Sequence, residues 1–488
     1  MREAVLPLNI YEEKNLKHLS REIDTLLNPS AYEGLYAFHK YWGKKPVEPL
    51  RFLVNVLTKK GGIVSDPFLG AGALARETCL LDRKFIGSDL NPFAVKLASF
   101  MANPCKRDLY QEEIRKIEKR VRSEIDDSYG SNSETTVSHI LWANGEMKKV
   151  WERPFGKRKR IERDPTDKDA ALYKLFDDYK DIGTRPINLF DNSRINAKAS
   201  LTWGDLFTGR AMRNIKLLRS AIDDAHKDVK EGLELTLTAS IGQMSRMVFA
   251  ISSRGKTTGQ TSGKVEVGSW VIGYWRPDTH FEINVWNCFE SKAIKLAKGL
   301  HDENCSVAIN PDIRCIDAIS FLEKIPDESI DLIITDPPHG DRIPYLELSE
   351  LWNATLNLDV NLSNEIIVSN AKTRKKTIRE YDEKMTEFFS EAEKKLSNGG
   401  SIALFFNSRK DEEWEFVRNV CRLADVEFTG TFPMHYSASS VVQDNRAGGM
   451  KNDHILIFTK GMLNLESLNK LRAVPGWKEA SPMKGEKF

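Results

Sequence analysis

The chain has 488 residues, of which 41% are hydrophobic and 29% charged, with a formal net charge of +2. This length exceeds what one hydrophobic core supports, and the near-neutral balance excludes a strong global field, so affinity for a polyanion would have to come from local basic patches. The six cysteines form no C-x-x-C pair and no stretch reaches the roughly 18 apolar residues of a membrane span; a cytoplasmic protein with no membrane contact and no metal centre is expected.

Residues Glu13 to Leu27 have the spacing of a short amphipathic helix, closed by Asn28-Pro29-Ser30. An aromatic and basic loop, His39-Lys-Tyr-Trp-Gly-Lys-Lys-Pro46, leads into a helix carrying Leu50, Leu53, Val54, Val56 and Leu57. "GGIVSDPFLGAGALARETCLL" then reads as strand, glycine turn and helix, and "KFIGSDLNPFAVKLASFMAN" repeats the pattern with an acid at the strand end. Gly70 and Gly72 fit G-x-G-x-x-A between a strand and a helix, where glycine lets a ligand approach the backbone beside the helix N-terminus. Asp89, 17 positions after Gly72, ends the next strand, where a carboxylate can accept from both hydroxyls of a ribose.

From about Cys105 to Glu303 the rhythm changes: a charged helical stretch (Gln111 to Ile125), a basic run around Lys157 to Arg160, helices between Gly209 and Gly242, and a Gly/Ser/Thr-rich loop from Ser252 to Gly268. Arg153 and Arg163, with Arg254, Lys256 and Lys264, are further candidates for phosphate contact, while Trp270, Tyr274 and Trp275 read as core. The strand–helix rhythm resumes at Ser306, giving strands ending at Asp317 and Asp336, an apolar strand in "NGGSIALFFNS", and a final antiparallel pair, "VEFTGTFPMHY" and "DHILIFTK". After Asp336 come Pro337, Pro338 and His339. Two prolines end the strand and stiffen the turn, so the carboxylate is presented rather than buried.

Two of these stretches carry a family resemblance. Asp66-Pro-Phe68-Leu-Gly70-Ala-Gly72 resembles the D-P-F-x-G-x-G element of S-adenosylmethionine-dependent amino-methyltransferases that act on nucleic acid, and Asp336-Pro-Pro-His339 resembles their D-P-P-Y element. The resemblance continues at Asp89 and Asp317. It implies a Rossmann-like methyltransferase fold, an α/β domain around a mostly parallel seven-stranded sheet, with a large inserted domain. The resemblance covers the two flanking segments and hardly the insert; with the change of rhythm the division is 1–104 and 306–460 for the two halves of the methyltransferase domain, 105–305 for an inserted target-recognition domain (in common members of the family that region lies elsewhere relative to these motifs), and 461–488 for a polar tail. S-adenosylmethionine is the implied cofactor, held by Asp66, Phe68, Gly70, Gly72, Asp89 and Asp317. Asp336, Pro337, Pro338 and His339 are the implied catalytic residues, with His339 where the family has a larger aromatic ring to stack on an extruded base. The implied reaction is N6-adenine methylation of DNA in a restriction or phage-defence setting with partner subunits. The alternatives are cytosine-N4 or RNA methylation, a non-catalytic DNA-binding subunit, and an NAD-dependent oxidoreductase, which the glycine turn permits but which leaves Asp336-Pro-Pro unexplained.

Overall fold

A computed structural model describes residues 10–479 apart from 158, 255–260, 271–272, 301–308, 339, 341–342, 407–419, 421–423 and 435–452. Among the described residues eight strands form one sheet: β1 (Ile63–Asp66), β2 (Lys84–Asp89), β9 (Asp312–Cys315), β10 (Ile330–Thr335), β11 (Leu396–Phe406), β12 (Glu427–Met434), β13 (Asp453–Thr459) and β14 (Lys478–Glu479). Their spatial order is β14-β12-β13-β11-β10-β1-β2-β9. Five neighbours, from β9 to β11, are parallel, and β13 runs antiparallel to both β11 and β12. The sequence resemblance implies seven strands; the eighth is the two-residue edge β14.

The central strands β10 and β11 are buried on both faces, as strands within parallel sheets are, and read as apolar runs for that reason, whereas the edge strands β9 and β14 are not. Alternation still sorts the side chains. On one face Ala403, Phe405, Ile455 and Ile457 join the core of helices α3 (Val47–Leu57) and α4 (Ala73–Leu80). On the other, Ile402, Leu404, Leu456 and Phe458 meet α12 (Ala318–Leu322) and α14 (Ile378–Lys395). The first of these layers also takes in α15 (Leu465–Arg472). Leu471 and Val474 are buried in it, and Ser467 donates to Val56 O, so residues 465–477 of the stretch read as a polar tail are packed on the domain.

Residues 105–300 enter the chain between α5 (Pro92–Ala102) and β9. They carry a second, antiparallel sheet, β5-β4-β3-β8, from β3 (Thr135–Ala143), β4 (Glu146–Pro154), β5 (Ile161–Arg163) and β8 (Thr279–Ile283). Against it lie α6 (Arg107–Ser128), α9 (Gly209–Asp223), α10 (Lys227–Ile241) and α11 (Val285–Gly299). A buried ion pair ties α9 to β8. Arg210 donates to both oxygens of Glu282, at 3.0 and 2.7 Å, and Thr208 and Trp142 complete that carboxylate's partners. This core does not stop at the insert: it is continuous with Leu35 and Phe38 of α2 (Gly34–Phe38), with Phe93, Leu97 and Phe100 of α5, and with Leu348, Leu351 and Trp352 of α13 (Tyr345–Thr355). Among the described residues no helix is long and apolar enough to cross a membrane.

Candidate active site

Chain order runs outward from β1 through β2 to β9, then returns to β10 on the other side of β1. Ligands of open α/β sheets bind at the carboxyl ends of strands where the order reverses. Four acids stand at or just beyond those ends: Asp66 closing β1, Asp89 closing β2, Asp317 beyond β9 and Asp336 directly after β10. All four line one open cleft, together with Gly70, Gly72, Tyr41, Lys45, Tyr345 and Glu365.

The glycine turn is built by hydrogen bonds before any ligand arrives. Proline at 67 ends β1, Phe68 N donates to Asp66 Oδ1 at 3.0 Å, and Gly70 N donates to Asp89 Oδ2 at 2.8 Å. The other Asp89 oxygen takes Asn91 N, also at 2.8 Å, so the carboxylate joins the turn to the start of α5. Gly70 and Gly72 both have positive φ, +56° and +78°, which favours glycine. Gly72 has a second reason: a Cβ there would lie 2.4 Å from Ala98 Cβ on α5.

Burial raises the carboxyl of Asp66 to about 7, against the pull of its bonds from Phe68 N and Thr335 Oγ1 and aided by the nearby charges of Asp89 and Asp336. Burial raises Asp89 to about 6 in the same way. Asp317 caps α12 by accepting Ser320 N and takes Asn364 Nδ2 on its other oxygen at 3.0 Å. Asp336 is paired with Lys45, Nζ to Oδ2 at 3.0 Å. Tyr381 Oη donates to Pro338 O at 2.6 Å and fixes the proline turn from α14.

The aromatic-basic loop forms the opposite wall. Its His39 is buried and contacts Thr238 Oγ1 of α10 at 3.1 Å, while Trp42 stacks on Trp352 with centroids 4.7 Å apart. Tyr41 lies parallel to Tyr345 at 6.2 Å. Lys44 donates to Tyr36 O and His39 O, and burial, then the charge of Lys295, pushes it down to about 7.

Residues 5–100 match the family model of the DNA methylases of N6/N4 type. The match covers the loop, the glycine turn and Asp89, and it supports DNA methyltransferase activity of the amino-directed kind. No curated protein matches the chain.

The cleft therefore gathers Asp66, Phe68, Gly70, Gly72, Asp89, Asp317, Asp336 and Pro338. Pro337, between Asp336 and Pro338, is buried. His339 lies outside the described residues, as does Lys256. Of the basic candidates, Lys157, Lys159 and Arg160 are exposed, whereas Arg163 is engaged by Glu152 and Asp169. Tyr274 is core, as expected, but Trp275 is half exposed. Sequence reasoning missed Thr335 at the end of β10, Asn364 and Glu365 between α13 and α14, and Tyr381 on α14, and did not assign Lys45 to Asp336. Among the described residues no group of three His, Cys, Asp or Glu could hold a metal ion.

Proposed function

We propose that the protein transfers a methyl group from S-adenosylmethionine to the N6 amino group of adenine in DNA, with Asp336 as the acceptor that grips the amino hydrogens. The observation that supports this reading most is that the stiff acidic turn at Asp336 and the glycine turn at Gly70 line a single cleft at the sheet's switch point. The lining suits this cofactor better than a dinucleotide. Asp89, Asp317 and Asp336 line the cleft against Lys45 and a Lys44 that burial pushes down to about 7, a balance that favours a sulfonium over a pyrophosphate. When bound, S-adenosylmethionine supplies an electrophilic methyl group.

The residues do the rest. Asp89 offers its remaining lone pairs to ribose hydroxyls, and the open backbone at Gly70 and Gly72 allows close approach. Asp66 holds the turn from beneath, and Phe68 and Asp317 complete the wall. An exocyclic base nitrogen is a poor nucleophile because its lone pair is delocalised into the ring. Asp336 and the carbonyl of Pro337 accept its two hydrogens, favour a more tetrahedral nitrogen, and hold it without reorganisation because the prolines are rigid. The base must leave the duplex to arrive there, and His339 supplies the flat surface on which it stacks. Residues 105–305 read the surrounding sequence, with Lys157, Lys159 and Arg160 on phosphates. An aspartate before Pro-Pro favours adenine over cytosine N4, and a restriction or phage-defence complex is the setting.

Incubation with labelled cofactor and mixed-sequence DNA or RNA tests the activity, and detection of modified bases identifies the target. Label in DNA is expected, and Asp336→Ala is expected to lower transfer by about a hundredfold or more while cofactor and DNA binding persist. Absence of label from a folded, cofactor-binding sample would refute the reading; label in RNA alone would reassign the substrate.

A further inference from the structure

Lys45 stands beside the acid that accepts the target amino group. Its ammonium is 3.0 Å from Asp336 Oδ2 and 5.5 Å from the centre of the Phe405 ring, and both members of the pair line the cleft, at 12% and 19% exposure. The loop is shaped for this approach. Gly43 has φ of +71°, and a Cβ on it would meet Tyr345 Oη at 2.7 Å, so glycine lets the chain pass between Tyr345 and the acid before Lys45. Pro46 follows and caps α3. A pair this far buried gives up hydration on both ions and is weak evidence of stabilisation, so stability alone does not account for a lysine brought to this acid.

The pair presents an acceptor and a cationic donor one hydrogen bond apart and open to the same space. Nucleobases carry the complement. The amino group of adenine is flanked on its pairing edge by the N1 acceptor, and that of cytosine by the N3 acceptor. The amino group of guanine is flanked there by an N1–H donor, and thymine and uracil have no amino group. We infer that Lys45 is a specificity-determining residue of this site: its ammonium donates to the ring nitrogen beside the amino group that Asp336 accepts, and the pair thereby reads the pairing edge of an extruded adenine or cytosine and repels guanine. The inference rests on the proposed methyl transfer. An ammonium has three hydrogens, so the contact to Asp336 and the contact to the base coexist. A lysine whose role was confined to the ion pair would be indifferent to the ring nitrogen.

Binding and transfer are measured separately on the full chain. Short duplexes carry one adenine opposite an abasic site, or 1-deazaadenine, in which N1 is replaced by C–H; a second pair carries cytosine and 3-deazacytosine. The parent protein is expected to bind the duplex with the intact ring nitrogen about ten- to a hundredfold more tightly than its deaza counterpart, the range for a hydrogen bond to a charged donor. Lys45→Met, checked for folding by its melting temperature, is expected to bind both equally, and Lys45→Arg to retain a preference. Equal binding by the parent protein, or a preference surviving in Lys45→Met, overturns the inference. Methyl transfer with no sensitivity to the ring nitrogen sinks Lys45 and leaves the methyltransferase reading standing. A Lys45-dependent preference without any transfer does the opposite.

Discussion

At the scale of single residues, Asp66 shows how a buried acid can be positioned at a cost. Its carboxyl, raised to about 7 by burial, keeps a proton in the folded chain from about pH 4 to pH 7, where the unfolded chain has lost it. The unfolded state therefore binds fewer protons in that window, and this residue's contribution to stability falls as pH rises through 7. Asp66→Asn, which cannot ionise, is expected to raise the melting temperature of the ligand-free protein relative to the parent, and by more at about pH 8 than at about pH 5. His39 and His139, both pushed down to about 3 by burial, contribute the opposite slope between about 3 and 6.5. The comparison at matched pH removes them. A parent–variant difference that does not change with pH would show that Asp66 is ionised throughout. Asp66 and Asp89 were legible in the sequence because each ends a strand beside glycines. Lys45 was not, because its partner is 291 positions away along the chain, and a basic loop carries no mark of which acid it will meet.

Among the elements, α13 was the least legible. Its sequence, "YLELSELWNAT", carries Glu347 and Glu350 three positions apart among apolar residues, yet both are buried. The acids are satisfied from distant segments. Arg185 donates to both oxygens of Glu350, at 2.6 and 2.9 Å, and Asn192 and Arg374 donate to Glu347 at 2.8 and 3.0 Å. Arg374, itself almost wholly buried, also bridges to Glu365 in the cleft wall. Tyr274 of the insert donates to Glu347 O at 2.7 Å. A helix sealed on every side in this way holds Tyr345 at the mouth of the cleft and Trp352 under the aromatic loop. Arg374→Met leaves two buried carboxylates without their cation and is expected to cost about 3–5 kcal/mol in urea unfolding. A loss below about 1 kcal/mol would mean that Glu347 and Glu365 do not depend on this cation. No periodicity announces such a helix, because its polar positions are chosen by partners that the local sequence does not contain.

For the whole molecule, the strand–helix rhythm and the acids at strand ends were enough to give the α/β class, the cleft and the antiparallel final pair. The insert's own sheet was not apparent: β4 and β5 are rich in charge and alternate poorly, and they are recognisable as strands only beside β3. Because Phe93 and Phe100 of α5 and Trp352 of α13 share one core with α9, α10 and α11, the insert and the sheet are expected to melt together. Calorimetry of the intact chain is expected to give one transition with equal van't Hoff and calorimetric enthalpies, and residues 105–300 expressed alone are expected to lack a cooperative transition. Two resolved transitions would show separate folding units.

The common core also limits how the protein can diversify. A reader domain hung on a linker can be exchanged for another as a cassette, whereas here transplanting the segment would strip the floor from beneath the aromatic loop and α13. If residues 105–305 read the DNA sequence as proposed, new preferences would arise by point changes on their solvent-facing side, with the interior kept fixed, and chimaeras spliced at 105 and 305 are expected to fail to fold.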